Sequence, residues 1–105
     1  MTLEELAGML EKTGFPFAYD HFAEGESQNP PFVCYLLPGS DNFSADGRVY
    51  FRISEVRIEL YTDWKDPVAE ALVETVLDDV GIFYNKSEVW IQSEKLYEAL
   101  YSMEL

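Results

Sequence analysis

Val49-Tyr50-Phe51-Arg52-Ile53-Ser54-Glu55-Val56-Arg57-Ile58-Glu59-Leu60 is the stretch on which the fold turns. Val49, Phe51 and Ile53 alternate with Tyr50 and Arg52, the period of two that marks a half-buried strand. Val56, Ile58 and Leu60 then carry the alternation on the opposite parity. A strand cannot keep both sets on one face without an extra residue. A bulge or break is therefore expected at Ser54-Glu55, dividing a long strand into two working parts.

Upstream, Phe32-Val33-Cys34-Tyr35-Leu36-Leu37 is a continuous apolar run bounded by Pro31 and Pro38-Gly39, which predicts a central strand. Between the two strands, Gly39 to Gly47 is polar and turn-rich apart from Phe43 and ends in Asp46-Gly47, a hairpin turn signal. It reads as an exposed loop. At the start of the chain Thr2 and Glu5 fit a capping box, and Leu3, Leu6, Ala7 and Leu10 recur at helical spacing, so a helix is expected over about residues 3 to 13. Gly14 and Pro16 stop it, and Phe15 to Tyr19 continues extended. Residues 24 to 31, rich in Gly, Glu, Ser, Asn and Pro, read as a connector.

Downstream, Asp66 followed by Pro67 is an N-cap with proline at the first helical position. Val68, Leu72, Val76 and Val80 fall on one stripe, widened by Val73 and Leu77, with Glu70, Glu74, Asp78 and Asp79 expected largely in water. Gly81 ends this helix. In the tail, Val89, Trp90 and Ile91 and then the alternating Tyr97, Ala99, Tyr101 and Met103 predict two closing strands. A last helix on Leu96, Leu100 and Met103 is the competing pattern. The order α-β-β-β-α-β-β gives an α+β fold over residues 1–105, a single sheet of four to five mainly antiparallel strands with both helices on one face.

Composition bounds the function. With 105 residues, 48% hydrophobic and 15% aromatic, the chain is one domain. Seven Lys and Arg against 20 Asp and Glu leave a net charge of −13, with no basic run. Such a surface repels polyphosphate and anionic lipid, so neither nucleic acid nor a membrane is an expected partner. Cys34, the lone cysteine, has no disulfide partner within the chain. The opening Met1-Thr2-Leu3-Glu4-Glu5 lacks the pattern of a signal peptide, so Asn42-Phe43-Ser44 and Asn85-Lys86-Ser87 read as coincidental sequons.

The chemistry-bearing residues point away from catalysis. Asp20-His21 could supply an imidazole, yet adjacent residues usually point apart, and no nucleophile elbow accompanies them. Cys34 lies inside an apolar strand, where a thiol is expected to be buried and inert. Asn42 to Gly47 has the look of a calcium loop, but its twelfth position is Ile53 where a bidentate carboxylate belongs. One Cys and one His do not make a structural zinc site. Close carboxylate pairs such as Glu4-Glu5 and Asp78-Asp79 are unavoidable among 20 acids and carry little information. No catalytic residue, metal or cofactor is expected. Trp64 and Trp90 read as core or assembly surface.

Pro31-Phe32-Val33 leading to Tyr35, the loop Asn42 to Gly47, Ile58-Glu59-Leu60-Tyr61-Thr62 before an acidic helix, and Ser93-Glu94-Lys95-Leu96-Tyr97 together define a pattern covering nearly the whole chain. It resembles the small tail-completion or tail-terminator proteins of long-tailed phages and prophages of Gram-positive bacteria. The resemblance implies a non-enzymatic virion subunit, a ring of six in that family, which caps the tail tube and joins it to the head. Its implied partners are itself and neighbouring tail-tube or head-connector proteins, in the host cytoplasm during assembly and then in the virion. The segment expected to make assembly contacts is Asp41, Asn42, Phe43, Ser44, Asp46, Gly47 and Arg48, because Phe43 is an isolated aromatic among polar turn formers. The other function class that suits so acidic a domain is an immunity or DNA-mimic protein masking a basic partner.

Overall fold

The computed structural model describes residues 2–22, 28–38, 40–45 and 48–104, with Leu3, 40–45 and 48–54 described by backbone alone. Helix α1 (Leu3–Glu11) begins where the local chemistry requires it. The Thr2 hydroxyl accepts from the Glu5 amide at 3.1 Å and the Glu5 carboxylate accepts from the Thr2 amide at 3.3 Å, the reciprocal capping box read from the sequence. Gly14, at φ 80°, takes the left-handed conformation that turns the chain out of the helix. Helix α2 (Pro67–Asp79) starts in the same local way, with the Asp66 carboxylate accepting from the Ala69 amide at 3.1 Å. Past its C-cap Val80, Gly81 sits at φ 71°.

Six strands follow from the remaining sequence: β1 (Phe17–Tyr19), β2 (Phe32–Leu36), β3 (Ser40–Ala45), β4 (Arg48–Thr62), β5 (Tyr84–Ile91) and β6 (Leu96–Glu104). The main sheet runs β1-β2-β4-β6-β5, with β1 parallel to β2 and the other neighbours antiparallel. The fold is α+β with two helices and a mostly antiparallel five-stranded sheet, and the tail closes as two strands.

Paired positions in adjacent strands share a face, and alternate residues point to opposite sides. Val33, Val56, Ile58, Leu60, Ala99, Tyr101 and Met103 therefore line one side. Leu6, Met9 and Leu10 of α1 and Ala69, Val73, Val76 and Leu77 of α2 join them in a single core cluster, so both helices lie on that face. No helix among the described residues is long and apolar enough to cross a membrane.

Three expectations are corrected. The stretch expected as an exposed loop is strand β3, paired with the first half of β4 from Ser40↔Ser54 to Ala45↔Arg48. Its own sequence is polar, but a strand's stability comes from cross-strand pairing, and the partner Val49 to Ser54 supplies the β-branched and aromatic pattern. Secondly, β4 runs through Ser54-Glu55 without a break. What changes there is the partner: residues 48–54 pair with β3, and residues 55–62 with β6 and, from Arg57, with β2. The phase slip marks that exchange, and the register shift lies instead between Phe43 and Ser44. Thirdly, the buried stripe of α2 is rotated from the expected one. Val68, Leu72 and Val80 are exposed, whereas Ala69 and Glu70 are buried. Packing on the sheet selects the Ala69-Val73-Val76-Leu77 side, and Glu70 follows because lysines meet it there.

Candidate functional site

Strand β4 is the longest element, and its 15 residues at roughly 3.3 Å each make about 49 Å. That equals the longest extent of the molecule, 49 Å. The radius of gyration, 15.0 Å, exceeds the roughly 13 Å usual for this length because half of β4 leaves the main sheet. Residues 40–45 and 48–54 thus form a two-stranded arm in which, among the described residues, β3 pairs with β4 and with no third strand. Of the residues singled out for assembly contacts, Asp41, Asn42, Phe43 and Ser44 lie on β3 and Arg48 opens β4. Asp46 and Gly47 lie outside the described residues. Phe43 is the register partner of Phe51, and Asp41 of Ile53.

The second feature is the sheet face opposite the helices. Phe32 pairs with Tyr61 and Tyr61 with Glu98, while Cys34 pairs with Glu59 and Glu59 with Leu100. These positions form a patch of mixed apolar and acidic character that neither helix covers. Phe32 stacks on Tyr61 with ring centroids 5.0 Å apart, and Phe22 meets Phe32 edge-on at 5.6 Å. Together with Ile91 and Leu96 these rings line a groove of about 490 Å³, rimmed by Asp20 and Glu94. The groove lies at the end of the sheet remote from the arm: it touches Tyr61 near the end of β4, whereas the arm is the strand's beginning.

The electrostatics of this face are unfavourable. Burial, with the nearby Glu98 charge adding to it, pushes the Glu59 carboxyl upward against the opposing pull of the Tyr61 hydrogen bond and Arg57. The Tyr61 hydroxyl donates to Glu59 Oε1 at 3.2 Å. Burial, hydrogen bonding to the two carboxylates and their charge all raise the Tyr61 pKa. Burial first, then Glu59 and Asp20, pushes the Cys34 thiol up to about 11, the unreactive state its sequence environment suggests.

On the helix side a denser network pins α2 to β5. Glu70 Oε1 accepts from Lys65 Nζ at 2.7 Å and Lys86 Nζ at 2.6 Å. Lys65 also pairs with Glu88, and Lys86 with Glu74 at 2.9 Å. The buried Tyr101 hydroxyl donates to Glu74 Oε2 at 2.7 Å. Burial lowers the Lys86 pKa, but the bonds to Glu70 and Glu74 outweigh it and the net shift is upward. Glu74 is held below its ordinary value because Lys86 and Tyr101 overcome the cost of burying it. This network sits between packed elements and explains why an acidic residue occupies the buried side of α2.

His21 and Asp20 do touch, with Nδ1 3.0 Å from Oδ2, contrary to the expectation for neighbours. Asp20 adopts φ 64°, which turns the two side chains together, and both are largely exposed. Trp64 and Trp90 are both surface residues, 69% and 44% exposed. The sequence singles out Asp41 to Arg48 through Phe43 but as a loop, not as part of a strand ribbon, and it misses the open face, whose Glu59, Tyr61 and Glu98 come together only through β4-β6 pairing. No protein-family model matches the chain, and no curated protein matches it.

Proposed function

We propose that this chain is a ring-forming structural subunit of a phage or prophage tail, of the tail-terminator or head-tail joining class. The observation that carries the reading is the β3-β4 arm, a ribbon of two strands projecting beyond the five-stranded sheet. An isolated two-stranded hairpin is at best marginally stable in water and gains stability from a third layer or strand. In a homo-oligomer that layer is a neighbouring copy, and a contact between two different surfaces of the same chain closes into a ring when the rotation per copy allows. The sequence pattern resembling tail-terminator proteins supplies the biological setting. The charge of −13 gives the ring an acidic coat that repels DNA, which suits a component beside a DNA channel.

The test is the oligomeric state. Light scattering coupled to gel filtration over a concentration series, with electron microscopy of the assembled fraction, should give closed rings for the wild type. Replacing residues 40–54 by a short Gly-Ser turn should leave the circular dichroism of a folded domain and abolish the rings. A wild type still monomeric at about 1 mM, which means association weaker than about 4 kcal/mol, refutes the reading. Rings formed by the armless protein refute it equally.

A further inference from the structure

The arm and the open face differ in charge as well as in place. Arg48, Arg52 and Arg57 are the only arginines in the chain, and two of them are in the arm. Residues 40–54 are net neutral, with Asp41 and Asp46 against Arg48 and Arg52, so the entire −13 belongs to the rest of the molecule. The β4 half of the arm, Arg48 to Ser54, is positively charged and has no acid. By contrast, the exposed groove at the far end of the sheet is rimmed by Asp20 and Glu94, with Glu98 beside it in register with Tyr61.

Register sharpens the match. Opposite residues in an antiparallel pair share a face, so Asp41 with Ile53 and Phe43 with Phe51 fall on one face of the ribbon. The register shift after Phe43 pairs Ser44 with Val49 and Ala45 with Arg48. Following β3's alternation, Ala45 belongs to the Phe43 face, and the shift thereby brings the Arg48 position to that same face. Bulges commonly re-aim a residue in this way. One side of the ribbon therefore gathers three large apolar positions, with Asp41 at the end nearer the main sheet and the cation Arg48 at the far end. The groove offers the complement: aromatic and aliphatic walls from Phe32, Tyr61, Ile91 and Leu96, with carboxylates around them.

We propose that the arm of one copy lies on the open sheet face of the next, with the Phe43, Phe51 and Ile53 positions over the Phe32-Tyr61-Leu96 groove and Arg48 among its carboxylates. The proposal rests on the ring reading and names the contact that would close the ring. Arm and groove sit at opposite ends of β4, so each copy carries a donor at one end and an acceptor at the other, the arrangement of a head-to-tail assembly. Docking also relieves the open face of its own conflict, because a guanidinium beside Glu98 offsets the repulsion that Glu59 and Glu98 exert on each other.

Charge-swapped full-length chains test this. Arg48→Glu places an acid on an acidic neighbour, and Glu98→Arg places a cation opposite Arg48, so each variant alone should associate about 30-fold more weakly or worse than wild type. An equimolar mixture should reassemble, since every arm then finds a complementary face when the variants alternate. Circular dichroism and urea midpoints establish that each variant is folded. As a second readout, a benzophenone photocrosslinker in place of Phe51 should link to peptides of β2 or β6 in another copy. Recovery of assembly in the mixture together with those crosslinks supports the docking. Wild-type rings with no recovery, or with crosslinks elsewhere, overturn the docking and leave the ring reading standing. Recovery in a closed dimer keeps the docking and overturns the ring. A wild type that never associates overturns both.

Discussion

Removing both lysines that hold Glu70 should cost more than the sum of removing each. The Glu70 side chain is 4% exposed, and one of its oxygens, Oε1, takes both ammonium groups, while Oε2 is buried without a hydrogen-bond partner among the described residues. After Lys86→Met, Glu70 keeps Lys65 and Glu74 keeps the Tyr101 hydroxyl. After Lys65→Met, Glu70 keeps Lys86, and Glu88 keeps the Tyr97 hydroxyl at 3.0 Å. A hydrogen bond to a charged group is worth about 1.5–3 kcal/mol when buried, and water screens these lysines, which are 28% and 45% exposed. Single losses of about 1.5 kcal/mol for Lys86 and about 1 kcal/mol for Lys65 follow.

The double variant differs in kind because it leaves a buried carboxylate with no donor, a situation that costs about 3–5 kcal/mol. The expected total is about 4 kcal/mol, leaving a coupling of about 1.5 kcal/mol beyond additivity. Urea unfolding followed by circular dichroism measures all four corners of the cycle. Adding Glu70→Leu to the double variant should return most of the excess, because the orphaned charge is then gone. In the wild-type background Glu70→Leu should cost under about 1 kcal/mol, since Lys65 retains Glu88 and Lys86 retains Glu74. Additivity within about 0.5 kcal/mol would refute the reasoning, as would a triple variant no more stable than the double.

The open face should respond to pH with the opposite sign from the lysine network. Glu59 has its folded-state pKa raised, so its favourable contribution is complete below the unfolded value and is lost as pH rises through the folded one. Glu59→Gln should therefore raise the urea midpoint at neutral pH and change nothing below about pH 4, and an unchanged midpoint at neutral pH would count against it. Glu74 is depressed, so its contribution is complete above the unfolded value and is lost as pH falls toward the folded one; Glu74→Gln should destabilise at neutral pH and lose its effect in acid. Cys34, raised to about 11, should react with iodoacetamide at pH 8 about a hundredfold more slowly than a free thiol, while the urea-unfolded chain should react at the ordinary rate. In α2, Val73→Ala should cost about 1–3 kcal/mol because Val73 is fully buried, whereas Val68→Ala, at a 74% exposed site, should stay within about 0.5 kcal/mol; equal losses would contradict the observed rotation of the helix.

Features set by neighbouring residues were legible in the sequence. Thr2 with Glu5, Asp66 with Pro67, and the glycines at 14 and 81 act within a turn of their own position, and each does what its local chemistry demands. Features set by distant partners were not. Glu70 looks like a solvated residue of an acidic helix until Lys86 arrives from β5, and Ser40 to Ala45 looks like a loop until Arg48 to Ser54 pairs with it. The slip in alternation after Ile53 lies between. Its position was legible as the boundary of two working parts, but an exchange of strand partner and a bulge produce the same change of parity in a single sequence.

That slip also ties the fold to the proposed assembly. Because β4 is continuous, residues 51 and 53 share the parity of Arg57, Glu59 and Tyr61, the open-face positions, while Val56, Ile58 and Leu60 face the helices. The chain thus spends one apolar set on its own core and carries the other parity, with the Phe51 and Ile53 positions, into the arm. A sequence under selection only for a stable monomer gains nothing from large apolar residues at these positions of a ribbon that, among the described residues, pairs with no other strand. Their placement acquires a physical reason once a neighbouring copy covers them, and the lack of any acid from Val49 to Ser54 in a chain of net charge −13 fits the same requirement. If the arm served only to shield its own molecule, polar substitutions at Phe51 and Ile53 would lower the unfolding midpoint and leave the oligomeric state alone. The assembly account requires the reverse ordering, with association lost before stability.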